Sequence, residues 1–585
     1  MKKIGIGYEN YRDFIDQDLY YVDKTLFIRD ILEKGGIVTL LTRPRRFGKS
    51  LNLSMLQTFF EMELDEDGNI KDNSRYFTGM KVMECGVDVL SKMGKYPVIK
   101  LSLKGAKQPD FSQSFLMLRK EIIDEYSRHS YLKDSTRLDE KERQRFRELW
   151  LGENDWSERA KKFTGREERE YALREECGKY AASLKELSYF LNKHHGTNTI
   201  ILIDEYDVPL ENAWQHHFYD EMVSFIRSLF ESALKTNDSL EFAVITGCLR
   251  ISKESIFTGM NNLNVISIRS DNFAEAFGFT EGETMQMLAD YGIAHKADEV
   301  RKWYDGYLFG NQEIYNPWSV TKYVYGQLDR PDSFPEPYWS NTSSNSIIKE
   351  LILRSNESIR EELDILIQGG TIEKRIHEDI TYADVYETED NIWNFLFFTG
   401  YMKKVSERWD GEDIFVSMRI PNLEVKSVYR HQIRSWFDRI VVSTDRNELY
   451  AAIIRKDTEA MENILTDLLE KSISTFDSDE SFYHGYLLSM LTGFPSYGAR
   501  ANREEGDGRP DIVLYPRKPR DPAYIFELKV RKKYNRMADG LSEAYDQIET
   551  RRYEDGILDD GYAGVVSFAI CFCKKSCIAG LYTHR

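Results

Sequence analysis

The chain has 585 residues, several times the size that one hydrophobic core holds, so roughly three or four domains are expected and a single compact unit is excluded. With 41% hydrophobic and 13% aromatic residues it can bury cores, which excludes wholesale disorder. Its 79 basic and 97 acidic residues give a net charge of −18, which excludes a polybasic, histone-like binder; any nucleic-acid contact needs a local basic patch.

Six cysteines without a regular framework point to a reducing compartment, and hence to the cytoplasm. The N-terminus MKKIGIGYENYRDF has no apolar stretch of the export type, and no apolar run approaches the ~18 residues of a membrane span. No membrane partner is expected. There is no fixed-period repeat and no Pro- or Gly/Ser-rich linker, so boundaries follow changes of pattern.

Along the first half, short apolar strands alternate with amphipathic helices. The best strands are Ile37 to Thr42, Tyr96 to Leu103, Thr199 to Asp204 and Glu241 to Gly247, with Val265 to Ile268 weaker. That alternation predicts an α/β architecture on a mostly parallel sheet. Between Asp110 and His195 the pattern is charged and helical, as in a solvated insertion. The expected division is an ATPase-like domain over 1–275, a lid or winged-helix-like segment over 276–340, a helical connecting region over 341–475 and a further α/β domain over 476–585.

IVTLLTRPRRFGKSLNLSMLQTFF sets a buried strand, the loop Arg43 to Ser50, then a helix with Leu53, Leu56, Phe59 and Phe60 on one side. A phosphate loop needs this setting, because backbone N–H groups at a helix N-terminus cradle phosphate while a lysine reaches the terminal phosphoryl. Gly48, Lys49 and Ser50 fit the end of GxxxxGK[ST], with Ser50 placed to ligate Mg²⁺; Arg43 stands where the first glycine belongs. A lone GKS is weak, and its context carries the claim. TIILIDEYD is a strand ending in Asp204, for the Mg²⁺ shell, and Glu205, for the attacking water. EFAVITGCLR ends the next strand with Thr246, and Arg250 and Arg269 are candidates for the γ-phosphate, against the reading of both as surface arginines.

YVDKT at 21–25, RPRRFGKS at 43–50, LIDEYD at 202–207, YDGY at 304–307 and YNPWS at 315–319 together resemble the bacterial AAA-ATPase-like family, over about the first 320 residues. The resemblance implies a RecA-like P-loop ATPase fold of the additional-strand class. It also makes the arginine-rich loop the usual form, with Arg45 and Arg46 added to the nucleotide-binding set and ATP as the ligand.

The second constellation is NREEGDGRPDIVLYPRKPRDPAYIFELKV. Asp511 to Tyr515 and Ala523 to Val530 flank a polar turn and read as an antiparallel hairpin. If Tyr515 opposes Ala523, then Asp511 opposes Glu527, and period-two alternation puts Lys529 on the face of Glu527. Ile512, Leu514, Phe526 and Leu528 pack the other side. Two facing carboxylates ask for a divalent cation, Mg²⁺ or Mn²⁺, and a lysine beside them can act on an attacking water. A hairpin whose charges simply face solvent is the competing reading.

With its flanking segments this region resembles the PD-(D/E)xK nuclease superfamily, specifically the restriction-endonuclease-like α/β module fused to the same ATPase family, over about residues 480 to 585. The resemblance implies Asp511, Glu527 and Lys529 as the catalytic core, Glu504 as the preceding acid, and Gln547 and Tyr553 as downstream positions. From Arg503 to Arg536 there are ten basic and six acidic residues, a local patch suited to phosphate contacts, with DNA favoured over RNA.

Cys571, Cys573, Cys577 and His584 match no standard zinc spacing, His194 and His195 read as a solvated loop, and His484 as a packed or surface side chain. The expected whole is an ATP-binding and hydrolysing module controlling a metal-dependent nuclease. The alternatives are a nucleotide-dependent switch whose nuclease-like domain only binds DNA or a partner, and a nuclease acting alone. A homo-oligomer stays open.

Overall fold

A computed structural model of the chain describes all residues except 66–68, 153–164, 250–255, 258, 340–347, 349–356, 379–381, 383, 444, 471–479, 502–508 and 584–585. Arg250 and Glu504 therefore lie outside the described residues. The chain divides into two units, Met1–Thr342 with Thr371–Lys426, and Ser343–Gly370 with Ser427–Arg585. Among the described residues no helix is long and apolar enough to cross a membrane.

In the first unit the apolar runs form β1 (Val38–Thr42), β2 (Val98–Ser102), β3 (Thr199–Asp204), β4 (Leu240–Gly247) and β5 (Leu263–Ile266). They pair in parallel in the order β2-β3-β4-β1-β5. β4 is thus inserted between the strand entering the GKS loop and the strand ending in Asp204, as the additional-strand class requires. Every residue of β1 and β3 is buried, which is why these strands are continuous Val, Ile, Leu and Thr runs rather than alternating ones. The register sets Leu41 beside Thr246, Thr42 beside Gly247 and Ser102 beside Asp204, so the chemistry-bearing strand ends meet along one edge.

Helix α1 (Lys49–Phe60) follows β1 with Leu53, Leu56, Phe59 and Phe60 fully buried, as its spacing predicts. The described residues of the charged insertion are largely helical, and its last helix, α2 (Ser183–His195), ends at His194 and His195, which are half-buried rather than in a solvated loop. His194 Nδ1 lies 2.7 Å from Ser135 Oγ, and His195 Nε2 2.9 Å from the Tyr131 hydroxyl. The LIDEYD strand runs into helix α3 (Val208–Gln215).

Beyond the sheet lie β6 (Phe279–Thr280), helices α4 (Glu281–Asp290) and α5 (Ala297–Tyr304), the hairpin β7 (Tyr307–Phe309) and β8 (Gln312–Tyr315), and helix α6 (Pro317–Asp329). The two outer helices are capped by residues the sequence supplies. Thr280 and Glu283 form a capping box on α4, and Asn316 accepts from Ser319 N–H with Pro317 at the first position of α6. Tyr291, Tyr304, Tyr315 and Tyr323 with Leu288 and Val320 form their common core. The middle of the chain is largely helical, and it also carries an antiparallel sheet that the sequence reading lacks: β9 (Ile372–Ile376), β10 (Lys403–Trp409) and β11 (Ile414–Arg419), with helix α7 (Glu389–Phe398) packed on β9.

The second unit holds a mixed sheet in chain order, β12 (Tyr497–Ala501), β13 (Ile512–Pro516), β14 (Ala523–Val530), β15 (Val565–Cys573) and β16 (Ser576–Leu581). Its helices include α8 (Glu480–Leu491), α9 (Met537–Arg551) and α10 (Tyr553–Asp559). β13 and β14 pair antiparallel with Leu514 opposite Tyr524 and Ile512 opposite Phe526, the register that the hairpin reading assumed. β14 then pairs in parallel with β15. The face carrying Glu527 is not a free surface. Val513, Ala523 and Ile525 on that face pack against Ala544, Ile548, Tyr553 and Ile557 of α9 and α10.

Candidate functional site

At the phosphate loop, Gly48 adopts φ +84°, a left-handed turn that lets α1 begin directly after it. Lys49 is buried, and its ammonium donates to the carbonyls of Arg43 and Pro44, each at 2.9 Å, and lies 3.5 Å from Cys248 Sγ. Ser50 Oγ donates to Asp204 Oδ2 at 2.5 Å and Thr246 Oγ1 to Asp204 Oδ1 at 2.5 Å, so one carboxylate gathers the ends of β3 and β4 and the start of α1. The structure therefore brings Gly48, Lys49, Ser50, Asp204 and Thr246 together. Glu205 follows at φ +52°, and burial raises its carboxyl pKa against the pull of Lys49. The oxygen donors of Ser50 and Asp204 fit the Mg²⁺ of a nucleotide.

The three loop arginines each meet protein groups. Arg43 is fully buried and has no carboxylate partner among the described residues; burial pushes its pKa down to about 9. Its guanidinium donates to the carbonyls of Thr42 at 2.8 Å and Ile266 at 3.2 Å and lies 4.9 Å from the Phe309 ring centroid. It bolts the end of β1 to the end of β5, a structural use of the position where a glycine would ordinarily bend the loop. Arg45 pairs with Glu211 of α3 at 2.5 Å, and Arg46, at φ +67°, lies 3.9 Å over the Trp318 ring of α6. Both of these guanidinium groups, expected on the nucleotide, are engaged by protein side chains. Arg269 likewise pairs with Glu378 at 3.1 Å.

Asp207 is a residue that sequence reasoning missed. Its Oδ2 accepts from the backbone N–H of Cys248 at 2.8 Å and Leu249 at 3.1 Å, which ties the turn after β3 to the end of β4, while its buried Oδ1 has no partner among the described residues. Gly247 makes room for this arrangement, since a Cβ there would lie 2.5 Å from the Tyr206 ring and 2.9 Å from Asp207 Oδ1. Gly247→Ala is expected to cost about 1–3 kcal/mol of stability through that overpacking, read as a lower denaturant midpoint. An unchanged midpoint would show that Tyr206 and Asp207 yield freely.

In the second unit, Asp511 precedes β13 and its Oδ2 accepts the backbone N–H of Leu528 at 2.8 Å, which holds it beside Glu527. Glu527 is fully buried; burial and then the neighbouring Asp511 charge push its pKa up to about 7. Lys529 Nζ donates to Glu527 Oε1 at 3.1 Å and to Gln547 Oε1 at 2.8 Å, and Gln547 Nε2 donates to the Tyr553 hydroxyl at 3.0 Å. The five residues Asp511, Glu527, Lys529, Gln547 and Tyr553 thus form one connected group. His484 of α8, set aside on sequence grounds, adds to it, with Nε2 2.9 Å from the Asp511 carbonyl.

These residues fit a divalent cation. Two carboxylates meet at the end of the β13–β14 ladder, and the buried Glu527 Oε2 has no hydrogen-bond partner among the described residues, an arrangement that is costly without a positive charge. Asp511 and Glu527 would hold the cation; no cluster of three His, Cys, Asp or Glu suited to a metal occurs among the described residues. Cys571, Cys573 and Cys577 are buried in β15 and β16 as core thiols.

The sheet order around the GKS loop and the carboxylate–lysine group on the mixed sheet define two classes, a P-loop nucleotide-binding fold and a nuclease-type fold. Residues 5–257 match the family described as predicted AAA-ATPase, AAA-ATPase-like, and residues 478–580 match the PD-(D/E)XK nuclease superfamily. The chain therefore joins an AAA-ATPase-like domain to a PD-(D/E)XK nuclease superfamily domain. One relative, described as "Uncharacterized protein in vnfD 5'region" of Azotobacter chroococcum mcd 1, is 25% identical over 566 residues, covering 95% of this chain and 93% of its own length. The similarity thus extends through the middle region as well as both domains.

Proposed function

We propose that the protein binds and hydrolyses ATP in its first unit and cleaves phosphodiester bonds, DNA before RNA, in its second, under control of the nucleotide and in the cytoplasm. The observation that carries the nuclease part is the connected Asp511–Glu527–Lys529–Gln547 group with its unpartnered buried carboxylate oxygen. Asp511 and Glu527 would hold Mg²⁺ or Mn²⁺, which would supply Lewis-acid charge at the phosphate. Lys529, fixed between Glu527 and Gln547, presents its ammonium to the attacking group, and His484 and Leu528 N–H hold Asp511 in place. In the first unit Lys49 would supply charge to the phosphates, Ser50 and Asp204 would hold the nucleotide's Mg²⁺, and Glu205 would orient the water.

Support for nucleotide control comes from the grip on the loop. Pro44 abuts Gly400, where a Cβ would lie 2.9 Å from the proline ring, and the Trp339 indole N–H donates to the Arg45 carbonyl at 3.4 Å. Phe47 packs edge-on against Tyr307 with ring centroids 4.9 Å apart. A ligand that draws Lys49 away from the Arg43 and Pro44 carbonyls perturbs this whole contact set, so occupancy is felt in the segments around Trp318, Trp339 and Gly400.

The test incubates purified protein with DNA and RNA, with and without Mg²⁺ and ATP. Lys49→Ala is expected to weaken ATP binding by about 10- to 100-fold, the worth of a charge-assisted contact, measured by equilibrium binding. A Lys49→Ala protein that binds ATP as wild type does would place the phosphate site elsewhere. Wild type that degrades no nucleic acid under any combination would sink the nuclease reading.

A further inference from the structure

Asp511 stands at the start of β13, antiparallel to β14, and Lys529 near the end of β14. The 531–536 connection leaves that same end, and the turn at Lys574–Lys575 leaves the end of β15, which is parallel to β14. All four therefore sit at one end of the sheet. The reactive groups there are recessed, with the Glu527 side chain fully buried and that of Lys529 12% exposed. Around them the surface is basic. Arg531 pairs with Glu543, Arg536 with Asp539 and Lys575 with Asp364, while the exposed Lys532, Lys533 and Lys574 have no carboxylate partner among the described residues.

Amid these lysines Tyr534 is 55% exposed, with Lys574 Nζ 5.8 Å from its ring centroid. The backbone around it is anchored. Arg531 N–H donates to the Phe572 carbonyl at 2.9 Å, and the Tyr483 hydroxyl donates to the Lys574 carbonyl at 2.7 Å. An aromatic face left in water among cations that have no carboxylate partner among the described residues, in a chain of net charge −18, is a poor choice for solubility and a good one for a partner with both phosphates and π-faces.

We propose that this end of the sheet is a track for single-stranded polynucleotide: Tyr534 stacks one base while Lys532, Lys533 and Lys574 contact phosphates flanking the one that enters the Asp511–Glu527–Lys529 recess. The inference rests on the nuclease reading above and adds the strandedness of the substrate. In a duplex the bases stack on each other and offer only edges, so the ring has nothing to cover. A single strand offers a face at every nucleotide, worth about 1–3 kcal/mol per stacked base. Its flexible backbone also lets one phosphate dip into a recess that a rigid duplex spans.

The test measures binding by the full-length protein in EDTA, where no cleavage occurs, using fluorescent oligonucleotides of about 20 nucleotides as single-stranded DNA, single-stranded RNA and duplex DNA. Single strands are expected to bind at least about tenfold tighter than duplex. Tyr534→Ala is expected to lower single-strand affinity about 5- to 100-fold and leave duplex affinity unchanged, with Tyr534→Trp restoring it. Lys533→Ala is expected to lower the salt dependence by about one counterion on either kind of strand. The DNA and RNA arms show which sugar the track accepts. Duplex binding as tight as single-strand binding, or equal loss in Tyr534→Ala and Tyr534→Trp, overturns the proposal. Cleavage assayed separately in Mg²⁺ keeps the two readings apart: cleavage without strand preference overturns the track alone.

Discussion

Asp511→Asn is expected to lower Mg²⁺-dependent phosphodiester cleavage by about a thousandfold or more while ATP binding in the first unit stays at the wild-type level. Asparagine keeps the shape of the side chain and an oxygen to accept the Leu528 N–H, so the end of the hairpin holds its place. What goes is one of two negative charges at the site. Burial already makes the Glu527 carboxylate reluctant to ionise and Asp511 adds to that reluctance, so the apo site carries a tension that a divalent cation relieves. Removing Asp511 relieves it without a cation, and the variant should melt no earlier than wild type. Lys529→Met is expected to act differently, sparing cation binding while removing the ammonium between Glu527 and Gln547. Gel assays with DNA, and cation titration followed by thermal shift, separate the two effects. Full cleavage by Asp511→Asn would mean that the hairpin is not the reactive site.

The hairpin shows which parts of the site the sequence contains. Period-two alternation puts Glu527 and Lys529 on one face, but the meeting of Asp511 with Glu527 rested on an assumed pairing of Tyr515 with Ala523 that the turn between the strands does not fix; the ladder has that register. Two-sided burial was not legible, because the charged residues stand only at the end of β14, while Val513 and Ile525 on the same face are covered by α9 and α10. The phosphate loop was legible because strand, loop and helix are contiguous. The fates of its arginines were not: the partners of Arg43, Arg45 and Arg46 lie at Ile266, Glu211 and Trp318, distances along the chain that no local pattern spans. Asp207 was missed for the same reason, since its carboxylate bonds backbone groups far along the chain at Cys248 and Leu249, while His484, read as a packed or surface side chain, lies against the Asp511 carbonyl. β10 escaped because its residues from Val405 to Trp409 are all exposed, leaving no apolar face to betray a strand.

Glu424→Gln is expected to raise the stability of the first unit at pH 8 by up to about 3 kcal/mol and to leave it nearly unchanged at about pH 4, below the titration of the unfolded carboxyl. Glu424 is fully buried; both its oxygens accept from Ser319 Oγ at 2.9 Å, and Oε1 accepts the Trp339 N–H at 2.8 Å. These bonds and the charge of Arg46 only partly offset burial, which pushes the pKa up to about 7. In the unfolded chain the same carboxyl titrates near about 4.3. Between those two values the unfolded chain has lost the proton and the folded one has kept it. Rising pH therefore favours unfolding across the window from about 4.5 to 7, and the loss is complete above it. Glutamine keeps an oxygen for Ser319 and Trp339 but has no proton to lose, so the variant matches wild type where the carboxyl is protonated in both the folded and the unfolded chain and surpasses it increasingly as pH rises past the unfolded value. Denaturant unfolding at about pH 4 and at about pH 8, followed by the fluorescence of the tryptophans, measures the difference. A variant equal to wild type at both pH values, or weaker at pH 8, would mean that the Ser319 and Trp339 bonds to the carboxylate outweigh its desolvation. Those same partners adjoin the phosphate loop, Trp339 through the Arg45 carbonyl and α6 through the stacking of Trp318 on Arg46, so the buried carboxylate also sets how firmly the loop is gripped. Loosening of that grip at high pH would appear as a pH-dependent ATP affinity that Glu424→Gln flattens.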